Sequence, residues 1–338
     1  MESRTLGTAT DGQIRATLGA MSAVVAPDAA PPRRGAQLIA ATPQGVFGRT
    51  LRLDGPVPVV PPDLLPRALG ADPALRARAG ELVAIAALAD AVIEPDRLGL
   101  VLDYAAALGI EAAWVGQVAD LAAGRYDRAL ADMVRRNTAT FPGLGDPHGD
   151  PDLFPYSGRT DADKRVAAAF AGLEAYPHGS FGHAFWVHFR RHGFRFPGQE
   201  GAFRDAFAVP HDGLHVLSGY DTSMQGELLV STFTGGMHGR DALAAHLLPV
   251  ILQWHVGVEV NGIGAQHGAL DPRKFLVAWQ RGRTQSVDVL DPRWRFFTVA
   301  PRPLEELRED YEIPALADAD RASGPEVNVT AEADPAAA

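Results

Sequence analysis

The segment 210–229 holds the side chains best suited to chemistry. His211 and His215 are four residues apart, so they share one face if the segment is helical, and Asp212 borders that face. Two imidazoles and a carboxylate that converge in this way can bind one divalent cation. The alternative is that all three are ordinary surface residues of a helix, because a single His-x3-His pair often arises by chance.

A second helix is expected to complete the site from the opposite side. Gly219 marks the end of the first helix, and residues 222–225 predict a capping box that begins the next one. Two helices joined by so short a turn run antiparallel. His215 lies six residues before Asp221 and Glu227 lies six after it, so His215 and Glu227 should face each other. Two histidines and two carboxylates suit zinc, iron(II) or manganese.

The composition limits the alternatives. The 338 residues include 11 His and no Cys, which excludes disulfides, thiolate metal sites and a cysteine nucleophile. The net charge of −10 argues against general nucleic-acid binding, because neutralising phosphates requires clustered Lys and Arg. No apolar run reaches the length of about 18 residues that a membrane span needs. The first residues also lack the pattern of a signal peptide. We therefore expect a cytoplasmic protein, with peripheral contact to the inner face of the membrane as an open alternative.

The string from His211 to Glu227 also resembles a known family. It is similar to the HDxxH-x11-E motif of the ubiquinone (coenzyme Q) biosynthesis protein Coq-four family. Three further segments resemble those of the family in the same order along the chain: residues 176–182, 274–282 and 303–308. The similarity covers roughly residues 160–314. Residues 206–210 and 220–225 depart from the family's pattern, which leaves the substrate open.

The resemblance implies an all-α domain in which the motif helix lies beside an apolar groove of prenyl-lipid size. It also implies which residues hold the metal, namely His211, Asp212, His215 and Glu227. The family acts in quinone biosynthesis. It has been viewed as a scaffold for the biosynthetic complex, and also as the enzyme that removes a ring carboxylate and hydroxylates that carbon. The expected cofactor is a divalent metal, namely zinc, iron or manganese. The expected partners are an isoprenoid or quinone-precursor lipid, a biosynthetic protein complex and a second copy of the chain.

Three functions stay open at this point. The first is a metal-dependent protein of quinone or related prenyl-lipid biosynthesis, with decarboxylation and hydroxylation of a prenylated aromatic ring as its chemistry. The second is a non-catalytic lipid-binding scaffold with a structural metal. The third is an HDxxH metallohydrolase, by analogy with HExxH peptidases, although the residue after the first His is here Asp rather than the Glu that serves as general base.

The elements that must position the motif follow from composition and periodicity. The chain divides into a Pro- and Gly-rich irregular leader (1–70), a small helical bundle (71–140), a linker (141–159), a multi-helical metal- and lipid-binding domain (160–315) and a disordered acidic tail (316–338). Within the leader, residues 38–47 and 50–53 predict short strands or extended arms. The fold class is therefore all-α, with a small bundle before the motif domain.

The small bundle has a resemblance of its own. Residues 86–96 resemble the first helix and turn of tellurite-resistance TerB-like bundles. Asp90, Glu94 and Asp96 in that stretch could bind a cation. We interpret them instead as residues of a solvated turn and a helix start, because carboxylates are favoured near helix N-termini.

Several residues outside the motif have two interpretations. Candidates for a lipid-binding groove are Phe185, Trp186 and Phe189, although core packing is the default for such side chains. The histidines of the same stretch are predicted to be non-ligating residues of an amphipathic helix: His183, His188 and His192. Residues 235–240 predict a helix cap and turn. A basic face that could meet a phosphate group or an anionic membrane is formed by Lys274, Arg281 and Arg283.

Overall fold

The computed structural model describes residues 9–25, 34–144 and 152–323. These residues form fifteen α-helices and no β-strand, and 61% of them are helical, so the predicted all-α class is confirmed. Three predicted segments fall partly outside the described residues, namely 1–8 and 26–33 of the leader, 145–151 of the linker and 324–338 of the tail.

The helices alternate with short turns along the whole described chain. The first seven are α1 (Asp11–Val24), α2 (Arg34–Phe47), α3 (Leu65–Leu69), α4 (Pro73–Leu88), α5 (Pro95–Leu108), α6 (Ala113–Ala122) and α7 (Tyr126–Thr140). The other eight are α8 (Asp161–Ala171), α9 (Phe181–His192), α10 (Asp205–Ser218), α11 (Met224–His238), α12 (Leu248–Trp254), α13 (Pro272–Thr284), α14 (Phe296–Val299) and α15 (Leu304–Asp310). A π-helix, Ala242–Leu247, leads directly into α12.

The leader is more regular than its composition predicts. The prediction of an irregular segment with extended arms is wrong for α1 and α2, and α2 runs through Pro43. Burial outweighs the low helix propensity of Pro and Gly in this region, because α2 packs against α13. A Cβ on Gly45 would lie only 2.7 Å from Cβ of Leu276, so the two helices come into close contact there. Residues 48–61 remain irregular.

Direct hydrogen bonds connect the helices of the small bundle to the second half of the chain. The Gln117 amide donates to the carbonyl of Ala244 at 3.2 Å, and the Asn137 amide donates to that of Ala245 at 2.9 Å. Both acceptors lie in the π-helix, where the altered backbone pairing frees carbonyl groups for outside donors. The small bundle and the motif domain therefore share a continuous buried core.

Two histidines that follow α12 also join these two regions. His255 Nε2 donates to the carbonyl of Ala89 at 2.8 Å, and His267 Nε2 donates to that of Ala91 at 3.1 Å. Burial lowers the pKa of His255 to about 4, so its ring is neutral and its Nδ1 accepts a hydrogen bond from the Leu270 amide. Both side chains therefore serve the fold, and they hold the turn between α4 and α5 in place.

Two of the three acidic residues predicted in that turn, Asp90 and Glu94, lie beside the buried Arg97. Arg97 forms an ion pair with Glu94 at 2.9 Å and lies 3.8 Å from Asp90. The Asp90 carboxylate also accepts a hydrogen bond from the Gly35 amide at 3.4 Å. These contacts agree with a structural interpretation of the acidic turn.

The helix that carries Glu227 crosses α13 at very short range. A Cβ on Gly282 would lie 2.0 Å from the carbonyl oxygen of Phe233, and one on Gly236 would lie 2.5 Å from that of Trp279. Only glycine permits this crossing. Residues 235–238 form the last turn of α11, and the predicted cap is Gly239.

The segment after α15 is ordered further than the prediction of a disordered tail from residue 316 allows. Asp320 forms an ion pair with Arg273 at 2.7 Å, and the Ser323 amide donates to the Gln225 side chain at 2.8 Å. Lys274 donates to the carbonyl of Arg321 at 2.6 Å. The prediction is therefore wrong for residues 316–323, because these polar contacts attach the segment to α11 and α13.

Of the three residues in the predicted basic face, Arg281 does not lie at the surface, whereas Lys274 and Arg283 are partly exposed. Arg281 is buried and donates to the carbonyls of Pro314 at 2.8 Å and of Ser218 at 2.9 Å. It satisfies the last carbonyl groups of α10 and attaches the C-terminal segment, so it does not face a membrane. None of the described helices is long and apolar enough to cross a membrane.

Candidate metal centre

A tight turn brings α10 and α11 together. Gly219 ends α10 in a left-handed conformation (φ 81°), and its amide donates to the carbonyl of His215. Ser223 is the N-cap of α11 and accepts a hydrogen bond from the Gly226 amide, so the cap lies one residue later than predicted. A Cβ on Gly226 would lie 2.0 Å from the carbonyl oxygen of Asp221, so this turn requires glycine at position 226.

Three of the four predicted ligands converge. One ligand atom each from His211, His215 and Glu227 lies within 4.8 Å of the others, and no other such group of His, Asp and Glu occurs among the described residues. Each carboxylate oxygen of Glu227 contacts a different histidine. Oε2 of Glu227 lies 3.4 Å from Nε2 of His211, and Oε1 lies 3.4 Å from Nε2 of His215. The prediction that Glu227 faces the histidines across the helix hairpin is therefore confirmed.

The separations in this cluster fit a metal ion. Two donor atoms that bind zinc at about 2.1 Å with tetrahedral angles are about 3.4 Å apart. The observed nitrogen–oxygen distances of 3.4 Å have this value, and they exceed the usual length of a hydrogen bond between these atoms. His211, His215 and Glu227 could therefore hold a divalent cation with little rearrangement.

The tautomer of His215 supports the same conclusion. Its Nδ1 lies 3.0 Å from the carbonyl oxygen of Tyr220, which can only accept, so Nδ1 carries the proton. In the neutral ring, Nε2 then presents a lone pair toward Glu227, as a metal ligand would. The His215 Nε2 is buried and has no hydrogen-bond partner among the described residues. Such a buried and unsatisfied group is costly unless it binds a proton or a cation.

The charges of His215 and Glu227 explain how the metal-free site is stabilised. Burial lowers the pKa of His215, but the charge of Glu227 and the contacts with it outweigh this effect and raise the pKa to about 9. Burial has the opposite effect on Glu227, because it raises the pKa of a carboxyl group. The contacts of Glu227 with the two histidines outweigh this effect and hold its pKa well below the usual range. At neutral pH the metal-free site therefore contains a protonated His215 beside an ionised Glu227, and a cation would displace that proton.

Asp212, the fourth predicted ligand, lies outside this group. Its Oδ1 is 3.1 Å from Nε2 of His188 on α9, and both side chains are only 11% exposed. Sequence reasoning identified neither this pair nor its partner helix, because His188 is 24 residues away and looked like an ordinary residue of an amphipathic helix. Asp212 therefore contributes to the site through a contact with another histidine.

The predicted lipid-binding aromatic residues do not line the centre. Phe185 and Phe189 are fully buried and stack on each other with ring centroids 4.6 Å apart, whereas Trp186 is half-buried. The phenylalanine that stacks on the cluster is Phe207, whose ring centroid lies 5.1 Å from that of His211. Phe207 precedes His211 by four residues on the same helix, so its spacing could have identified it.

A series of aromatic rings continues from Phe207 to the protein surface. Phe203 lies 5.4 Å from Phe207, and Phe154 lies 4.5 Å from Phe203. Phe154 is 52% exposed. We call Phe154, Phe203 and Phe207 the aromatic series. It ends at His211, whose side chain is 24% exposed and is the most accessible of the three converging ligands.

Comparison with known proteins adds no family assignment. No family model matches the chain, and no curated protein matches it. The geometry of the three converging side chains is therefore what supports a function.

Proposed function

We propose that the protein is a metal-dependent protein of quinone or related prenyl-lipid biosynthesis, as the resemblance to the Coq-four family implies. His211, His215 and Glu227 would hold the ion. The observation that carries the proposal is the convergence of three donors, in which each histidine nitrogen lies 3.4 Å from an oxygen of Glu227. Structural zinc sites usually have four protein ligands, whereas catalytic sites have three and leave a position for substrate or water.

The surroundings of each donor support a reacting centre that is open on one side. His215 is buried and its Nδ1 is fixed by the Tyr220 carbonyl, which orients its ring. Glu227 supplies the negative charge that offsets part of the charge of a cation. When bound, a divalent ion would supply Lewis-acid or redox chemistry to a ligand that enters beside His211.

The apolar approach to His211 favours a lipid or aromatic substrate. The aromatic series is continued by a small cluster of buried and partly buried apolar side chains: Phe141, Leu144, Leu153, Leu290 and Met237. Surroundings of this composition offer few hydrogen-bond partners for a polar substrate and suit an isoprenoid chain or a ring. We therefore propose a prenylated aromatic compound as the substrate class, with decarboxylation and hydroxylation of the ring as the chemistry.

The test combines metal analysis with mass spectrometry of co-purifying lipids. The proposal predicts one bound metal ion per chain, its loss in His211→Ala and His215→Ala, and an isoprenoid species that the wild type retains. His183→Ala is the matched control, because His183 lies on α9 outside the cluster. A chain that binds metal and retains no lipid would contradict the proposed substrate class.

A second candidate function, a metallohydrolase, rests on the same donor set. Two histidines and one glutamate also hold the zinc of several peptidases. The residue after the first histidine would then act as general base, but Asp212 is already paired with His188. Zinc-dependent hydrolysis of unrelated peptides would favour this candidate, whereas turnover that depends on oxygen and a redox-active ion would favour the first. Bound zinc without any turnover would favour the scaffold.

A further inference from the structure

Helix α9 contacts α10 and the turn that leads from α10 into α11. His188 and His192 are four residues apart on α9, and we call them the α9 histidine pair. His188 Nε2 contacts Asp212 of α10 at 3.1 Å, and His192 Nδ1 contacts the Thr222 hydroxyl, just before α11, at 3.1 Å. One helix face therefore makes polar contacts to α10 and to the turn between Gly219 and Ser223.

The contact through His188 leads directly to a ligand of the centre. The His188 ring lies 5.6 Å from the His215 ring, and the two planes are 21° apart. Asp212 Oδ1 is directed to His188. The carboxylate can thus act on the ligand ring through His188.

The backbone of α9 is fixed well enough to serve as a support. Its first two amides, those of Phe181 and Gly182, donate to the carbonyls of Arg302 at 2.8 Å and Ala300 at 2.7 Å. Ser180 is the N-cap of α9, and the buried face of α9 packs in the core. A histidine on such a helix has a defined position relative to α10.

We propose that Asp212 is a positioning residue that acts through His188 on the ligand ring of His215, and that it is not a ligand itself. The metal would then have three protein ligands. This inference rests on the proposed metal site, and it differs from the four-ligand set that the sequence suggested. In metal sites generally, the groups that surround the ligands set the orientation of the ligand rings, and their mutation costs about 10–100-fold in affinity when they bond the ligand directly. Asp212 contacts the ligand ring through His188, so this range is the upper limit for its effect.

The test is a double-mutant cycle in cobalt(II) affinity, measured by titration of the full-length chain. Asp212→Ala should weaken binding about 10–100-fold, and Asp212→Asn, whose amide oxygen can still accept from His188, should stay within about threefold of wild type. In a His188→Phe background, Asp212→Ala should add less than about threefold, because the contact through which it is proposed to act has been removed.

The results that would overturn the inference are specific. If Asp212→Asn weakens cobalt binding as strongly as His215→Ala does, the carboxylate is a ligand. The same follows if Asp212→Ala has its full effect in the His188→Phe background. If His211→Ala and His215→Ala leave cobalt binding unchanged, the proposed metal site itself fails, which is a different outcome. Far-ultraviolet circular dichroism of each variant checks that the helices are intact.

Discussion

The stability of the metal-free protein should fall as pH rises from about 6.5 to about 9, because the buried His215 is protonated beside Glu227. The pKa of His215 is raised from 6.5 to about 9, and this difference corresponds to about 3 kcal/mol. A group whose pKa is higher in the folded state stabilises the protein fully below its unfolded pKa. That contribution is lost as pH rises through the folded pKa. The loss should therefore lie between about pH 6.5 and pH 9.

The perturbation that isolates this contribution is Glu227→Gln, which keeps the shape of the side chain and removes its charge. Without that charge, burial keeps His215 neutral, and the decline in stability should flatten. The assay is chemical denaturation in the presence of a chelator at several pH values, monitored by circular dichroism. The difference between wild type and variant cancels the titration of the other groups.

A second readout follows the His215 ring itself. Its NMR resonances should titrate near pH 9 in the metal-free wild type and at a much lower pH in Glu227→Gln. Saturation with zinc should reverse the trend, because the metal binds the deprotonated ring and its binding is favoured by higher pH. Parallel stability profiles for wild type and variant, with a His215 titration near its ordinary value, would refute the reasoning.

Three further predictions concern the hairpin, its crossing with α13 and the approach to the site. Gly226→Ala should weaken metal binding at least tenfold, because the added Cβ would lie 2.0 Å from the carbonyl oxygen of Asp221. The control is Gly99→Ala in α5, where an added Cβ has no neighbouring atom within 4 Å and should leave metal binding unchanged. Gly282→Ala should lower the free energy of unfolding by at least about 2 kcal/mol in denaturant titration, and a loss below about 0.5 kcal/mol would contradict the close crossing of α11 and α13. Phe207→Ala should leave metal stoichiometry at one and reduce the amount of retained lipid severalfold by mass spectrometry, whereas unchanged retention would show that the aromatic series does not contact the lipid.

The local features of the site follow from the sequence, and those that depend on distant contacts do not. The spacing of His211 and His215, the end of α10 at Gly219 and the position of Glu227 are set by helix geometry over a few residues. The pairing of Asp212 with His188 needs the packing of α9 on α10, which no local pattern encodes.

The same limit explains the errors at both ends of the chain. Pro43 and Gly45 are poor helix formers, but contact with α13 stabilises α2 around them. The residues after Leu316 are small and polar, and their order comes from contacts with Arg273 and Gln225 far earlier in the chain. Arg281 looked like a surface charge, because its carbonyl partners at Ser218 and Pro314 are remote in sequence.

The central claim is that His211, His215 and Glu227 hold one divalent metal ion, and its most direct test is the metal content of the purified chain. The protein is equilibrated with micromolar zinc, freed of unbound ions and analysed by elemental mass spectrometry beside His215→Ala and the control His183→Ala. We predict about one equivalent in the wild type and in the control, and less than about a tenth of an equivalent in His215→Ala. Metal content below a tenth of an equivalent in the wild type, or equal content in His215→Ala, would contradict the claim.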